Sequence, residues 1–155
     1  MIELVTTRAQ LERCWAIRFA VFVDEQQVPL DEEVDQLDTA PSTIHLLAVV
    51  DGKDVGTLRI LPEEAGHCHI GRVAVSGLAR GTGVGRELMD RAREIALERC
   101  ANTLGRVRIE LSSQEQAMGF YRACGYEVVS GKRYLDAGIW HEDMVQEVSL
   151  SSTGE

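Results

Sequence analysis

Residues 73 to 85 read Val-Ala-Val-Ser-Gly-Leu-Ala-Arg-Gly-Thr-Gly-Val-Gly, and a helical apolar pattern begins directly after them, so a β-branched strand runs into a glycine-rich turn that opens a helix. That arrangement is a cradle for a phosphate-like anion. Gly81, Gly83 and Gly85 let the backbone approach a ligand with no Cβ in the way, while the N–H groups of the first helical turn and the positive end of the helix dipole favour negative charge. Two phosphate loops with fixed offsets are excluded. A nucleoside-triphosphate loop ends in Gly-Lys-Ser/Thr, whereas Gly85 is followed by Arg86 and Glu87; a dinucleotide loop needs Gly-x-Gly-x-x-Gly, whereas its last glycine position here is Arg86.

Other groups could carry chemistry. His67 and His69 share one face of a strand-like segment and, with His45 and His141, invite a metal reading, but no third and fourth ligand stands at defined spacing. Cys14, Cys68, Cys100 and Cys124 are scattered singly, with no Cys-x-x-Cys pair, and read as buried reduced thiols. The acidic residues Asp31, Glu32, Glu33, Asp35 and Asp38 have two readings: a solvated loop, or a field that steers a cationic substrate. Arg59 and Arg72 lie on strand-like segments. Each either lines a pocket that favours a substrate carboxylate or pairs with an acid of the protein.

The elements that must position these groups follow from periodicity. At 155 residues, 45% hydrophobic and 26% charged, the chain reads as one domain over residues 1–150 with a frayed tail at 151–155. A net charge of −9 argues against nonspecific nucleic-acid binding, so an anionic ligand must be met locally, by backbone donors and by Arg80, Arg86, Arg91 and Arg93. No apolar run approaches a membrane span and no signal core follows the N-terminus, which points to the cytoplasm.

A strand over residues 2–6 leads to Thr7-x-x-Gln10, a capping box, and a helix with Leu11, Cys14, Trp15, Arg18, Phe19 and Phe22 at helical spacing. Pro29 interrupts it. Strands over 44–50 and 55–61 meet at Asp51-Gly52, a hairpin signal, and a third runs over 68–75. The helix after the glycine loop carries Val84, Leu88, Ala92, Ile95 and Ala96 on one face and ends before Gly105. A strand over 107–111 precedes Ser113-x-x-Gln116, a second capping box, and a short helix burying Ala117, Phe120, Tyr121 and Cys124, which Gly125 stops. Final strands cover 126–129 and 139–150; the weakly patterned last one offers an edge, and with it a possible homodimer contact. The order implies an α/β (α+β) fold: a mixed, mostly antiparallel sheet of six to seven strands with helices on both faces.

Read as Arg80-x-x-Gly83-x-Gly85, the loop resembles the coenzyme A pyrophosphate site of GNAT-family N-acetyltransferases, and the block Gln114-x-x-Ala117-x-x-Phe120-Tyr121-x-x-x-Gly125-Tyr126 resembles that fold's later cofactor helix. The resemblance covers the whole chain. Arg18-x-x-Val21-Phe22-Val23-x-Glu25-Gln26, Gly71-Arg72-Val73-Ala74-Val75 and His141-x-x-Met144 resemble its ElaA-type subgroup.

The resemblance implies a GNAT fold that uses acetyl-CoA to acetylate a primary amine, whether a small-molecule amine, an amino acid or a peptide. Arg80, Gly81, Thr82, Gly83, Val84, Gly85 and Arg86 would hold the pyrophosphate, the Val73 N–H would face the acetyl carbonyl, and the Val75 N–H the pantetheine arm. Gln114 stands where many members carry Asn against that arm. Tyr121 falls at the position that protonates the departing sulfur, and His69 where several members place a general base, a task that an imidazole titrating near ~6.5 suits. From spacing alone Tyr121 reads as a core tyrosine and His69 as a hydrogen-bonded strand histidine, while Glu25, Glu33, His141 and Glu110 are other base candidates. A direct transfer is expected, since neither Cys68 nor Cys124 has a base at fixed spacing. Alternatives are a non-catalytic acyl-CoA-binding regulatory module and a metal-binding interaction domain built on the histidines.

Overall fold

The computed structural model describes residues 1–28, 33–129 and 131–150, so Pro29, Asp31, Glu32 and the tail at 151–155 lie outside the described residues. The chain divides into two compact units, one of Met1–Leu61 with Gly71–Ala92, the other of Pro62–Ile70 with the chain from Arg93 onward.

In the first unit, β1 (Ile2–Leu4) pairs antiparallel with β2 (Ile44–Val50), and β2 with β3 (Lys53–Pro62). The β2–β3 turn has Asp51 at φ +51° and Gly52 at φ +76°, the doubly left-handed geometry that Asp-Gly encodes. α1 (Arg8–Arg18) starts at the expected capping box, in which Thr7 Oγ1 accepts from the Gln10 N–H and the Gln10 side chain accepts from the Thr7 N–H. It does not stop at Arg18. It widens into a π-helix over Phe19–Glu25, where the Gln26 N–H donates to the Val21 carbonyl five residues back. Ile17 and Val21 join Leu11 and Cys14 in the core; Trp15 and Phe19 are half-buried, and Phe22, also half-buried, packs against Cys14, Ile17 and Val21.

α2 (Val84–Arg99) buries Val84, Leu88, Ala92, Ile95 and Ala96, as its period predicts. Gly56 of β3 is glycine because of this helix: a Cβ there would lie 2.8 Å from Leu88 Cδ1 and 3.3 Å from Val84 Cγ1.

In the second unit the first half of β4 (His67–Val75) runs parallel to β5 (Arg106–Gln114), with His67–Ile70 opposite Arg108–Leu111. The remaining pairs of this unit are antiparallel, so the mixed, mostly antiparallel sheet is observed. β8 (Ile139–Ser149) pairs with β5 on one side and with β6 (Glu127–Val128) and β7 (Tyr134–Asp136) on the other. β8 is therefore interior, which corrects the expectation of a last-strand dimer edge. Eight strands are present among the described residues rather than six to seven, the extra one being the three-residue β7, too short to show alternation.

The second capping box does not form. Ser113 is a buried β5 residue whose hydroxyl donates to the Gln114 carbonyl, a 3-10 turn over Glu115–Ala117 follows, and α3 (Met118–Ala123) buries Met118 and Tyr121 while Phe120 is exposed. Gly125 does end that helix, at φ +100°. No helix of the described residues is long and apolar enough to cross a membrane.

Candidate active site

The glycine loop lies between β4 and α2. Gly81 and Gly83 hold φ of +80° and +92°, and a Cβ at either would meet nothing within 4 Å. Glycine is needed here for its left-handed backbone, and the space beside it is open. The Glu87 N–H is bonded to the Gly83 carbonyl at 3.0 Å, so the amides of Val84 and Gly85 precede that bond at the start of the helix, where an anion is favoured. Val84 is itself buried and offers only its backbone. Thr82 closes the turn, its N–H and hydroxyl both donating to the Ala79 carbonyl.

Arg80 donates through Nε to the Val75 carbonyl at 3.1 Å and through Nη2 to Glu25 Oε1 at 2.6 Å. Glu25, one of the base candidates, is thus the partner of the loop's cation. Arg86 pairs one turn along with exposed Asp90. These residues fit a pyrophosphate: left-handed glycines beside open space, helix-start amides and a half-exposed guanidinium.

Val73 and Val75 lie half-buried on β4 directly before the loop. Arg72, which precedes them, has φ +52°, a left-handed conformation rare for a side-chain-bearing strand residue. Around it lies the largest departure from expectation. In the described part of the acidic run, Glu33 and Asp38 are not solvated: they are 3% and 2% exposed, packed with Arg18 at 1% and Arg59 at 5%. Arg18 donates to Glu33 Oε1 and Asp38 Oδ1, both at 2.7 Å, and Arg59 to Asp35 Oδ1 at 2.7 Å and Asp38 Oδ1 at 3.0 Å. Nε2 of His45 donates to the Asp38 carbonyl at 2.9 Å. Arg59 and Arg72 are therefore acid-paired arginines.

Burial and charge partners compete over the titration of this cluster. Burial works against the Asp38 carboxylate, but Arg18 and Arg59 outweigh it and hold it below the ordinary range; Arg59 does the same for Asp35. Burial pushes the Glu33 carboxyl up in spite of Arg18 and Arg72. Signs follow: Asp35 and Asp38 contribute stability above their unfolded pKa of ~3.9 and lose it as pH falls through their folded values, while Glu33 contributes oppositely. Denaturant titrations between pH 7 and pH 3 should show stability falling below pH ~4, with a shallower fall in Asp38→Asn. Equal slopes in the two proteins would contradict the account.

The second unit carries His69, Gln114 and Tyr121. His69 is half-exposed on β4, with Nδ1 2.8 Å from Glu63 Oε1 and Nε2 3.2 Å from Glu110 Oε2. A neutral ring has one N–H and so satisfies one of these carboxylates, leaving its other nitrogen as an acceptor. Glu63 had no spacing signal, because a turn in which its N–H bonds the His67 carbonyl folds it back beside β4. Glu110 also accepts from Arg108, which reaches Glu147 on β8, so His69 lies within a charged ladder that runs from Glu63 to Glu147.

Tyr121 is 8% exposed and edge-on to Tyr126, with ring centroids 6.2 Å apart. Burial pushes its phenol up, so it stays protonated at neutral pH. Gln114 ends β5 opposite His141, and its Oε1 accepts from Gln116 at 2.7 Å. His141 is buried, donates from Nδ1 to the Ile139 carbonyl at 2.7 Å and stacks on Tyr134. The Tyr134 hydroxyl joins Ser112 and Asp143 on neighbouring strands, a set that sequence spacing did not reveal because β7 itself was not legible.

The four cysteines are free thiols, three of them buried. Cys68 lies beside Cys100, and that hydrogen bond with burial pushes its thiol up, the wrong direction for a nucleophile. Among the described residues no three His, Cys, Asp or Glu side chains converge as a metal set.

A family model described as an acetyltransferase (GNAT) domain matches residues 8–148. An uncharacterised N-acetyltransferase of Bacillus subtilis, YjcF, is 38% identical over 139 residues, 89% of this chain and 93% of its own. The crystal structure of Escherichia coli ElaA superposes with a TM-score of 0.80 at 28% identity, over 94% of this chain and 99% of that one. That of an acyl-CoA N-acyltransferase from Pseudomonas aeruginosa gives 0.81 at 32% identity, over 94% and 99%.

Proposed function

The chain belongs to the GNAT acetyltransferase family, and from that premise we propose that it is an N-acetyltransferase, moving the acetyl group of acetyl-CoA directly onto a primary amine. The observation that carries this reading is the glycine loop: left-handed Gly81 and Gly83 beside helix-start amides, with Arg80 adjacent, fit the pyrophosphate of an acyl-CoA.

An alkylamine has a pKa near ~10.4 and is protonated at neutral pH, so a base must remove a proton before the nitrogen attacks. We assign this to His69, which accepts the proton directly or through one water when its longer contact, Nε2 to Glu110 at 3.2 Å, opens. The nitrogen then bonds to the thioester carbon and charge develops on the oxygen, which the Val73 N–H stabilises. As the C–S bond breaks, the Tyr121 hydroxyl gives its proton to the sulfur, the nitrogen gives up its second proton to solvent, from which the tyrosinate is reprotonated, and the thiol and amide leave. Val75 and Gln114 hold the pantetheine arm, and Arg80 exchanges Glu25 for phosphate.

Direct transfer is favoured over a thiol intermediate by the raised Cys68 thiol. The reading is tested by thiol release from acetyl-CoA over a panel of amines, amino acids, polyamines and peptides. His69→Gln should lower the acceptor-dependent rate about 10²-fold while leaving acetyl-CoA affinity unchanged. An unaltered rate in His69→Gln would take the base role away from His69.

A further inference from the structure

Arg72 combines two features that are separately uncommon. It is a β4 residue at φ +52°, and its guanidinium is tied into the buried ion cluster: Nε donates to the Glu33 carbonyl at 3.2 Å, Nη2 to Asp35 Oδ2 at 3.4 Å, and Glu33 Oε1 lies 3.6 Å from Nε. These acceptors are themselves fixed, Glu33 by Arg18 and Asp35 by Arg59. The peptide plane that carries the Val73 N–H is oriented by the dihedrals on either side of it. A residue 72 that relaxed to ordinary extended geometry would turn that N–H.

We propose that Arg72 is a positioning residue: its anchored side chain holds β4 in a left-handed kink that aims the Val73 N–H at the acyl-CoA carbonyl, and the segment from Glu33 to Asp38 acts through it. The proposal rests on the assignment of the Val73 amide to the thioester oxygen. It gives the buried cluster, remote in sequence from the glycine loop, a part in the reaction beyond stability.

A kink role and a direct side-chain role separate cleanly. Arg72→Ala removes the anchor and leaves a residue for which the left-handed region is unfavourable, whereas Arg72→Gly removes the guanidinium and keeps that region accessible. Arg72→Asn is a second variant tolerant of the same backbone. The probe is [1-13C]acetyl-CoA, because a hydrogen bond to the carbonyl oxygen moves the bound carbonyl resonance downfield whichever acceptor is used.

The wild-type protein should show the downfield shift, Arg72→Ala should lose most of it, and Arg72→Gly or Arg72→Asn should retain it, with acetyl-CoA affinity and unfolding midpoints recorded alongside. Retention of the full shift in Arg72→Ala overturns the proposal. So does its loss in Gly and Asn variants that fold and bind acetyl-CoA, which would mean that the guanidinium acts on the acyl group directly and not through the backbone it holds. A wild-type protein that binds acetyl-CoA without any shift removes instead the Val73 assignment on which the proposal stands.

Discussion

Replacing Tyr121 with Phe should lower acetyl-CoA-dependent turnover by about 10²- to 10³-fold while acetyl-CoA affinity stays within about twofold. The ring is packed into α3 against Tyr126, and Phe keeps that packing, so no cavity opens. The variant removes only the hydroxyl and should unfold within about 1 kcal/mol of the wild type. What it loses is a proton donor that burial keeps protonated. Without it the thiolate leaves unprotonated, a cost borne in the transition state and not in the bound complex, which is why kcat moves and affinity does not. Equal turnover in the two proteins would remove Tyr121 from the reaction and return it to the core.

Gly83→Asp should weaken acetyl-CoA binding by at least about 10³-fold, through two separable effects. The first is backbone strain: φ is +92°, and an L-residue held there costs about 1–3 kcal/mol. The second is charge: a carboxylate facing a phosphate at contact distance repels it by roughly 4 kcal/mol at an effective dielectric of about 20. Crowding contributes nothing, since a Cβ at this position meets no atom within 4 Å. Gly83→Ala carries only the strain and should therefore weaken binding by about 10-fold. Binding of acetyl-CoA by Gly83→Asp at wild-type affinity, measured calorimetrically, would mean that the pyrophosphate sits elsewhere.

Much of this site was legible where one residue type answers one local demand. The loop demanded left-handed backbone at Gly81 and Gly83, the β2–β3 turn demanded it at Asp51 and Gly52, and Thr7 with Gln10 capped α1 reciprocally. The period of α2 named its buried face correctly. Illegible features depended on partners distant in sequence. Arg18 fell on an apolar stripe and the acids at 33–38 looked solvated, because their burial is decided by ion pairs between α1, the acidic segment and β3. Likewise, His69 was recognisable as a strand histidine, but Glu63 and Glu110 on its two ring nitrogens became visible only when the turn before β4 and the parallel register with β5 were in place. The π-helical turn after Arg18 has no simple periodic signature, and within it Val21 is buried while Phe19 and Phe22 are half-buried.

The most direct test of the central claim is mass-spectrometric detection of an acetylated amine after incubation of the protein with acetyl-CoA and a mixed panel of amines, amino acids, polyamines and peptides. The account predicts a product heavier by one acetyl group, formed in step with free thiol and absent when Gly83→Asp replaces the wild type. Tight acetyl-CoA binding with no acetylated product over the whole panel would contradict it, and would favour a module that binds acyl-CoA without turning it over.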